Sequence, residues 1–207
     1  MKYFSDVLFV IFLLTVYSVV HSFLASEKVK LYFKNRFGKR IAFYRLGYNL
    51  FAFAGLYLIW EFAPHPSLQI YKLPSPYDYL VLIPQLLAIA GTMWCFKYIS
   101  FREFVGLNQI DLYLKGEYSE DQLDEKSTLI FEGPYKYSRH PLYFFLIIIL
   151  LFRAEMDLFY LTMFVSFVAY CYAGSFYEEK KLVRLFGNQY KDYQKLVPRI
   201  IPVRFFN

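Results

Sequence analysis

Two stretches of this chain carry groups suited to chemistry. The first is Gly133-Pro134-Tyr135-Lys136-Tyr137-Ser138-Arg139-His140-Pro141-Leu142-Tyr143, a turn loaded with polar and aromatic side chains that runs into an apolar segment. Gly-Pro marks a turn, and Pro141 suits the first position of a helix, where its missing N–H is no loss and its fixed φ is already helical. His140 is then the capping position. The backbone N–H groups of Leu142 and Tyr143 face the turn with the positive end of the helix dipole, and Arg139 adds a full charge beside them. This predicts an anion site. The second stretch is Glu178-Glu179, whose adjacent carboxylates supply the opposite pole. Two separated poles suit a zwitterion, although for Glu179, as for Lys180 and Lys181, anchoring at a membrane boundary stays an open alternative.

The elements that must position these groups are set by composition. The chain has 207 residues, 57% hydrophobic and 23% aromatic, with only 19% charged. A soluble domain of this size carries more charge and fewer aromatics. The apolar residues are blocked into long runs, the pattern of membrane-spanning helices. A net charge of +6 could point to nucleic acid, but the basic residues lie between the apolar runs. Membrane topology explains them, and no nucleic-acid partner is expected.

The expected architecture is an all-α integral membrane protein with a single membrane domain, 1–207, and about five spans near 4–25, 41–63, 79–98, 141–152 and 158–176. The first run has no small-residue cleavage site after it and reads as a retained span. Pro84 predicts a kink in the third. The fourth is too short to cross alone, so its preceding turn is expected below the membrane surface, lining a pocket. A short turn at Arg153, Glu155 and Asp157 joins the last two spans as a helical hairpin, bringing Arg139-His140 close to Glu178-Glu179. A cytoplasmic loop, 99–139, holds the acids Asp111, Glu117, Glu120, Asp121, Asp124, Glu125 and Glu132. A cytoplasmic tail, 177–207, is expected to form an amphipathic helix. This topology puts all but Lys2, Lys72 and Arg153 of the 23 lysines and arginines on the cytoplasmic side, with the N-terminus outside.

Cys95 and Cys171 lie inside apolar runs and read as packing residues, and no metal site is expected. In the tail, Leu182, Leu185, Phe186, Tyr190, Tyr193, Leu196 and Val197 form an apolar stripe; Pro198 and Pro202 close it, with Arg199 between them.

Gly133-Pro134-Tyr135-x-Tyr137-x-Arg139-His140-Pro141-x-Tyr143, Glu178-Glu179, Leu185-Phe186-Gly187-x-x-Tyr190-x-x-Tyr193 and Val197-Pro198-Arg199-x-x-Pro202 together resemble the C-terminal signature of the isoprenylcysteine carboxyl methyltransferase and phospholipid methyltransferase superfamily. His21-Ser22-x-x-Ala25-Ser26, Tyr44-Arg45-x-x-Tyr48-Asn49 and Gly106-Leu107-x-Gln109 are similar to the methanethiol S-methyltransferase branch and the related NnrU-like membrane proteins. One departure is plain: Phe144 and Phe145 stand where a glycine is common after the motif tyrosine.

The resemblance implies S-adenosylmethionine-dependent methyl transfer at a membrane, to a small or lipophilic thiol, with the site facing the cytoplasm of an inner or plasma membrane. It implies that Arg139, His140 and the backbone after Pro141 hold the cofactor's carboxylate or ribose region. Glu178 and Glu179 would take its amino group or ribose hydroxyls, and Tyr190, Tyr193 and Arg199 would line or close the pocket. Tyr135, Tyr137 and Tyr143 offer aromatic faces to a sulfonium, or form an interfacial belt. No catalytic residue is expected beyond positioning by Arg139 and His140, since in-line displacement onto a thiol needs placement and dryness more than a base. The alternatives are an isoprenylcysteine carboxyl methyltransferase-like enzyme, a non-enzymatic NnrU-like protein, and an NADPH-dependent sterol-reductase-like enzyme.

Overall fold

The computed structural model describes residues 2–119, 123 and 128–203. Glu120, Asp121, Asp124 and Glu125 of the acidic loop, and Arg204 of the tail, lie outside the described residues. In chain order the helices are α1 (Lys2–Ala25), α2 (Glu27–Phe37), α3 (Tyr44–Phe62), α4 (Tyr77–Leu80), α5 (Leu82–Cys95), α6 (Phe101–Val105), α7 (Leu107–Leu114), α8 (Pro141–Leu151), α9 (Leu158–Phe186) and α10 (Asn188–Leu196). Two 3-10 turns, Gly38–Phe43 and Gly133–Lys136, and two strands, β1 (Gln69–Lys72) and β2 (Glu155–Asp157), complete the described elements.

Three helical stretches are long and apolar enough to cross a membrane, by length and composition: Tyr3–Ala25, Tyr77–Cys95 and Leu158–Phe186. The other two expected crossings fall on α3, which carries Arg45 and Glu61, and on α8, which is apolar but short.

The chain folds as two compact units. One comprises Met1–Pro64 with Ile99–Thr128, and holds α1, α2, α3, α6 and α7. Here α1 and α3 are tied by polar groups in their apolar faces: Tyr17 Oη donates to Ala52 O at 2.9 Å, Tyr44 Oη to Leu24 O at 2.6 Å, and Tyr48 Oη lies 2.8 Å from His21 Nε2. Short α6 leaves its last carbonyls without helical partners. Arg45 Nε donates to Phe104 O at 2.8 Å, and Asn49 Nδ2 to Phe104 O and Val105 O at 3.2 and 3.1 Å. The Tyr44-Arg45-x-x-Tyr48-Asn49 motif is therefore a clasp between α1, α3 and α6.

The other unit, His65–Tyr98 with Leu129–Asn207, holds the remaining elements. Segments expected as plain outer loops form a two-stranded antiparallel sheet, with Tyr71 opposite Met156 and Lys72 opposite Glu155, the latter also ion-paired. The expected kink appears as a break at Val81 between α4 and α5. Pro84 explains its place, since a proline ring clashes with the carbonyl four residues earlier and cannot donate to it. Helix α9 runs unbroken from Leu158 to Phe186, ten residues past the expected end of the last span at 176. Glu178 to Leu182 and Arg184 are good helix formers, and the first breaker is Gly187, with φ +55°. The expected amphipathic tail helix is confined to α10, which buries Tyr190 and Tyr193 with Val197 against Phe131, Leu182 and Phe186.

Candidate active site

The loop before α8 is shaped by two residues. Gly133 has φ +58°, and a Cβ there would stand 2.2 Å from the Tyr98 ring, so only glycine fits the turn. At the far end Pro141 opens α8 and His140 precedes it with non-helical backbone (φ −125°, ψ 64°), as the sequence predicts. No side chain caps this helix end. The N–H groups of Leu142 and Tyr143 in its first turn have no intrahelical partner by helix geometry.

The loop is held from the other side by the C-terminal segment. Arg139 N donates to Pro198 O at 3.0 Å and His140 N to Arg199 O at 2.9 Å. The buried Ser138 hydroxyl donates to Ile200 O at 2.8 Å and contacts Arg199 O at 3.1 Å. The Arg-His-Pro and Val-Pro-Arg motifs thus lie side by side as hydrogen-bonded backbones.

Their side chains converge on α9. Glu179, 2% exposed, receives Arg139 Nε at 2.7 Å and His140 Nε2 at 3.3 Å on Oε1. Its Oε2 receives Arg199 Nη2 at 3.0 Å and Gln194 Nε2 at 2.9 Å. A carboxylate offers about four lone-pair sites, so Glu179 is saturated. Arg139 is likewise committed, its Nη1 donating to Gln194 O and Val197 O at 2.9 and 2.6 Å. The Arg199 guanidinium also stacks 3.5 Å above the Phe176 ring, a cation–π contact.

Glu178 differs. Its side chain is half exposed, Tyr143 Oη donates to Oε1, and His140 Nδ1 lies 3.2 Å from Oε2. Acceptor capacity therefore remains on Glu178 beside the uncapped end of α8. His140 stands between both carboxylates, stacked on the Tyr143 ring with centroids 5.4 Å apart. Both ring nitrogens facing acceptors is the pattern of an imidazolium. Burial alone disfavours that charge, but the hydrogen bonds and charges of Glu178 and Glu179 outweigh it, and the His140 pKa is raised above its ordinary value.

The aromatic residues divide. Tyr193 Oη donates to Tyr135 O at 2.6 Å, joining α10 to the loop. Tyr190 is 1% exposed and its hydroxyl has no partner among the described residues. Burial first, then the Glu179 charge, push its pKa upward. Tyr137 stands apart: it is 61% exposed, with its ring 6.3 Å from Trp94. The other predicted site residues, Arg139, His140, Pro141, Tyr143, Glu178, Glu179 and Arg199, come together. Sequence reasoning missed Ser138 and Gln194, polar residues flanking motif positions; their adjacency to Arg139 and Tyr193 was the available signal.

Comparison with known proteins agrees with the motif reading. Methanethiol S-methyltransferase 1 of Bradyrhizobium diazoefficiens is 29% identical over 198 residues, covering 93% of this chain and 65% of its own length. The chain resembles the methanethiol S-methyltransferases. The methanethiol S-methyltransferase of Crocosphaera subtropica is 27% identical over 195 residues, 92% of this chain and 72% of that protein. That of Pseudomonas deceptionensis is 35% identical over 68 residues, 33% of this chain and 26% of that protein. The chain thus spans about two thirds of the length of the Bradyrhizobium relative. No family model matches it, and no solved structure matches it.

Proposed function

We propose that this chain is an integral membrane methyltransferase that uses S-adenosylmethionine and acts on a small or lipophilic thiol of the methanethiol kind, with its site at the cytoplasmic face. The observation that carries the reading is the opposition of Glu178, with acceptor capacity to spare, to the uncapped first turn of α8. A cofactor that ends in an amino acid needs one pole for its ammonium group and one for its carboxylate. The similarity to proteins named methanethiol S-methyltransferase supports the same class of reaction.

The donor set fits such a ligand. Glu178 would accept from the ammonium group, and the N–H groups of Leu142 and Tyr143 would donate to the carboxylate with the helix dipole behind them. The orphaned Tyr190 hydroxyl is a polar group that a bound ligand could satisfy. Arg139, Glu179, Gln194 and Arg199 form the frame that holds His140, which in turn meets Glu178. The chemistry such a cofactor supplies is donation of a methyl group from a sulfonium sulfur to a thiolate. The chain's part is to bind, orient and exclude water, with aromatic faces such as Tyr143 near the cationic centre.

The test is calorimetric titration of the purified full chain with S-adenosylmethionine, paired with methyl-labelled cofactor and a panel of thiols on membranes. Saturable binding and labelled volatile methyl sulfide are expected. Absence of binding, or displacement by NADPH, overturns the reading.

A further inference from the structure

The first unit contains a cavity outside the site described above. At the junction of α1, α2 and α3 lies a cavity of about 510 Å³, walled by Leu24, Phe33, Phe37, Tyr44 and Phe51. Its one charged lining residue is Arg40, exposed in the 3-10 turn, with no ion pair to any described residue. Gly47 forms part of the wall, and nothing lies within 4 Å of a Cβ placed there, so the space beside it is open.

The position matters as much as the lining. Helix α1, long and apolar enough to cross a membrane, ends at Ala25, and Leu24 on its last turn borders the cavity. The chain then enters a basic stretch, with Lys28, Lys30, Lys34, Arg36, Lys39 and Arg40 against Glu27. The cavity therefore has aromatic walls beside the last turn of α1 and one lining cation, Arg40, from the basic stretch that follows. An anionic amphiphile has the same division, with its chain among aromatic rings and its head beside the arginine.

We propose that this cavity is a binding site for an anionic phospholipid, with the phosphate held at Arg40 and an acyl chain between Phe33, Phe37 and Phe51. Charge complementarity selects the head group, and the apolar walls distinguish the ligand from a free phosphate ion. A thiol as small as the one proposed for the active site would leave most of the volume unfilled.

The experiment uses the full chain purified in an uncharged detergent, with phosphatidylglycerol as probe and phosphatidylcholine as neutral control, and bound lipid read by native mass spectrometry. Phosphatidylglycerol is expected to stay bound under conditions that strip phosphatidylcholine. Arg40→Gln should weaken its retention roughly fivefold, the contribution of one cation near a membrane surface. Gly47→Leu, which places a side chain in open space, should weaken it further while leaving the melting temperature unchanged. Excess inorganic phosphate should not displace the lipid. Equal retention of phosphatidylcholine would assign the cavity to a neutral amphiphile and overturn the proposal. Displacement by phosphate, or wild-type retention by Arg40→Gln, would do the same. Arg40 is exposed, so that variant decides the matter even if filling the cavity disturbs the fold.

Discussion

Arg139 Nε meets Glu179 Oε1 at 2.7 Å, with the two side chains only 8% and 3% exposed. Such a pair contributes little net stability over an apolar replacement, but breaking it leaves a buried charge alone, at a cost of about 3–5 kcal/mol. Glu179 also anchors His140, Gln194 and Arg199, so its loss frees several donors at once. Arg139→Met and Glu179→Ala are each expected to lower the thermal unfolding midpoint in detergent markedly, with or without cofactor. An unchanged midpoint for both would show that the pair does not hold the fold.

The neighbouring carboxylate should behave in the opposite way. Glu178 is half exposed, so Glu178→Gln should barely move the melting temperature. Its proposed role is a hydrogen bond to a charged ligand group, about 1.5–3 kcal/mol, which corresponds to roughly ten- to hundredfold in affinity. Calorimetry with S-adenosylmethionine reads that loss directly. Wild-type affinity in Glu178→Gln would remove Glu178 from the site.

His140 ties the cluster to pH. Its folded pKa is raised above the free value of 6.5, so the protonated ring favours the folded state. That contribution is fully present below about pH 6.5 and is lost as the pH rises through the folded pKa. Melting curves taken across this window should show the midpoint falling with rising pH, and His140→Asn should flatten that part of the profile. A wild-type slope that persists in His140→Asn would place the titrating group elsewhere.

Part of this arrangement was legible in the sequence because its signals are local. Gly133, Pro141 and the capping position of His140 announce a turn and a helix start, and the short link between the last two apolar runs brings Glu178-Glu179 to that turn. What stayed hidden depends on packing between distant segments. Adjacent residues on a helix point about 100° apart, so one of the two glutamates faces inward, but the sequence does not say which. The docking of Pro198 and Arg199 carbonyls on the Arg139 and His140 amides is a contact between backbones, which carries no side-chain signature. The β1–β2 pairing escaped for a similar reason, since strands this short have no measurable alternation. The continuation of α9 past Phe176 was obscured because its charged stretch reads in the sequence as a change of solvent, and nothing in it breaks a helix.

Phe145, one of the two phenylalanines that follow the motif tyrosine, makes a further prediction. The Phe145 ring of α8 lies directly on Gly91 of α5, where an added Cβ would come within 2.3 Å of the ring. The bulk of Phe145 on α8 is thus accommodated by the absent side chain of Gly91 on α5, and small residues of this kind let helices approach closely in membranes. Gly91→Ala should therefore overpack the interface and destabilise by about 1–3 kcal/mol. Phe145→Ala should cost stability as well, by opening a cavity. The double variant should be more stable than the two losses added together, because the new methyl group occupies space the ring has left. A double-variant cycle from thermal or denaturant unfolding in detergent reads this coupling. Additive losses would mean that Gly91 and Phe145 do not share one packing site.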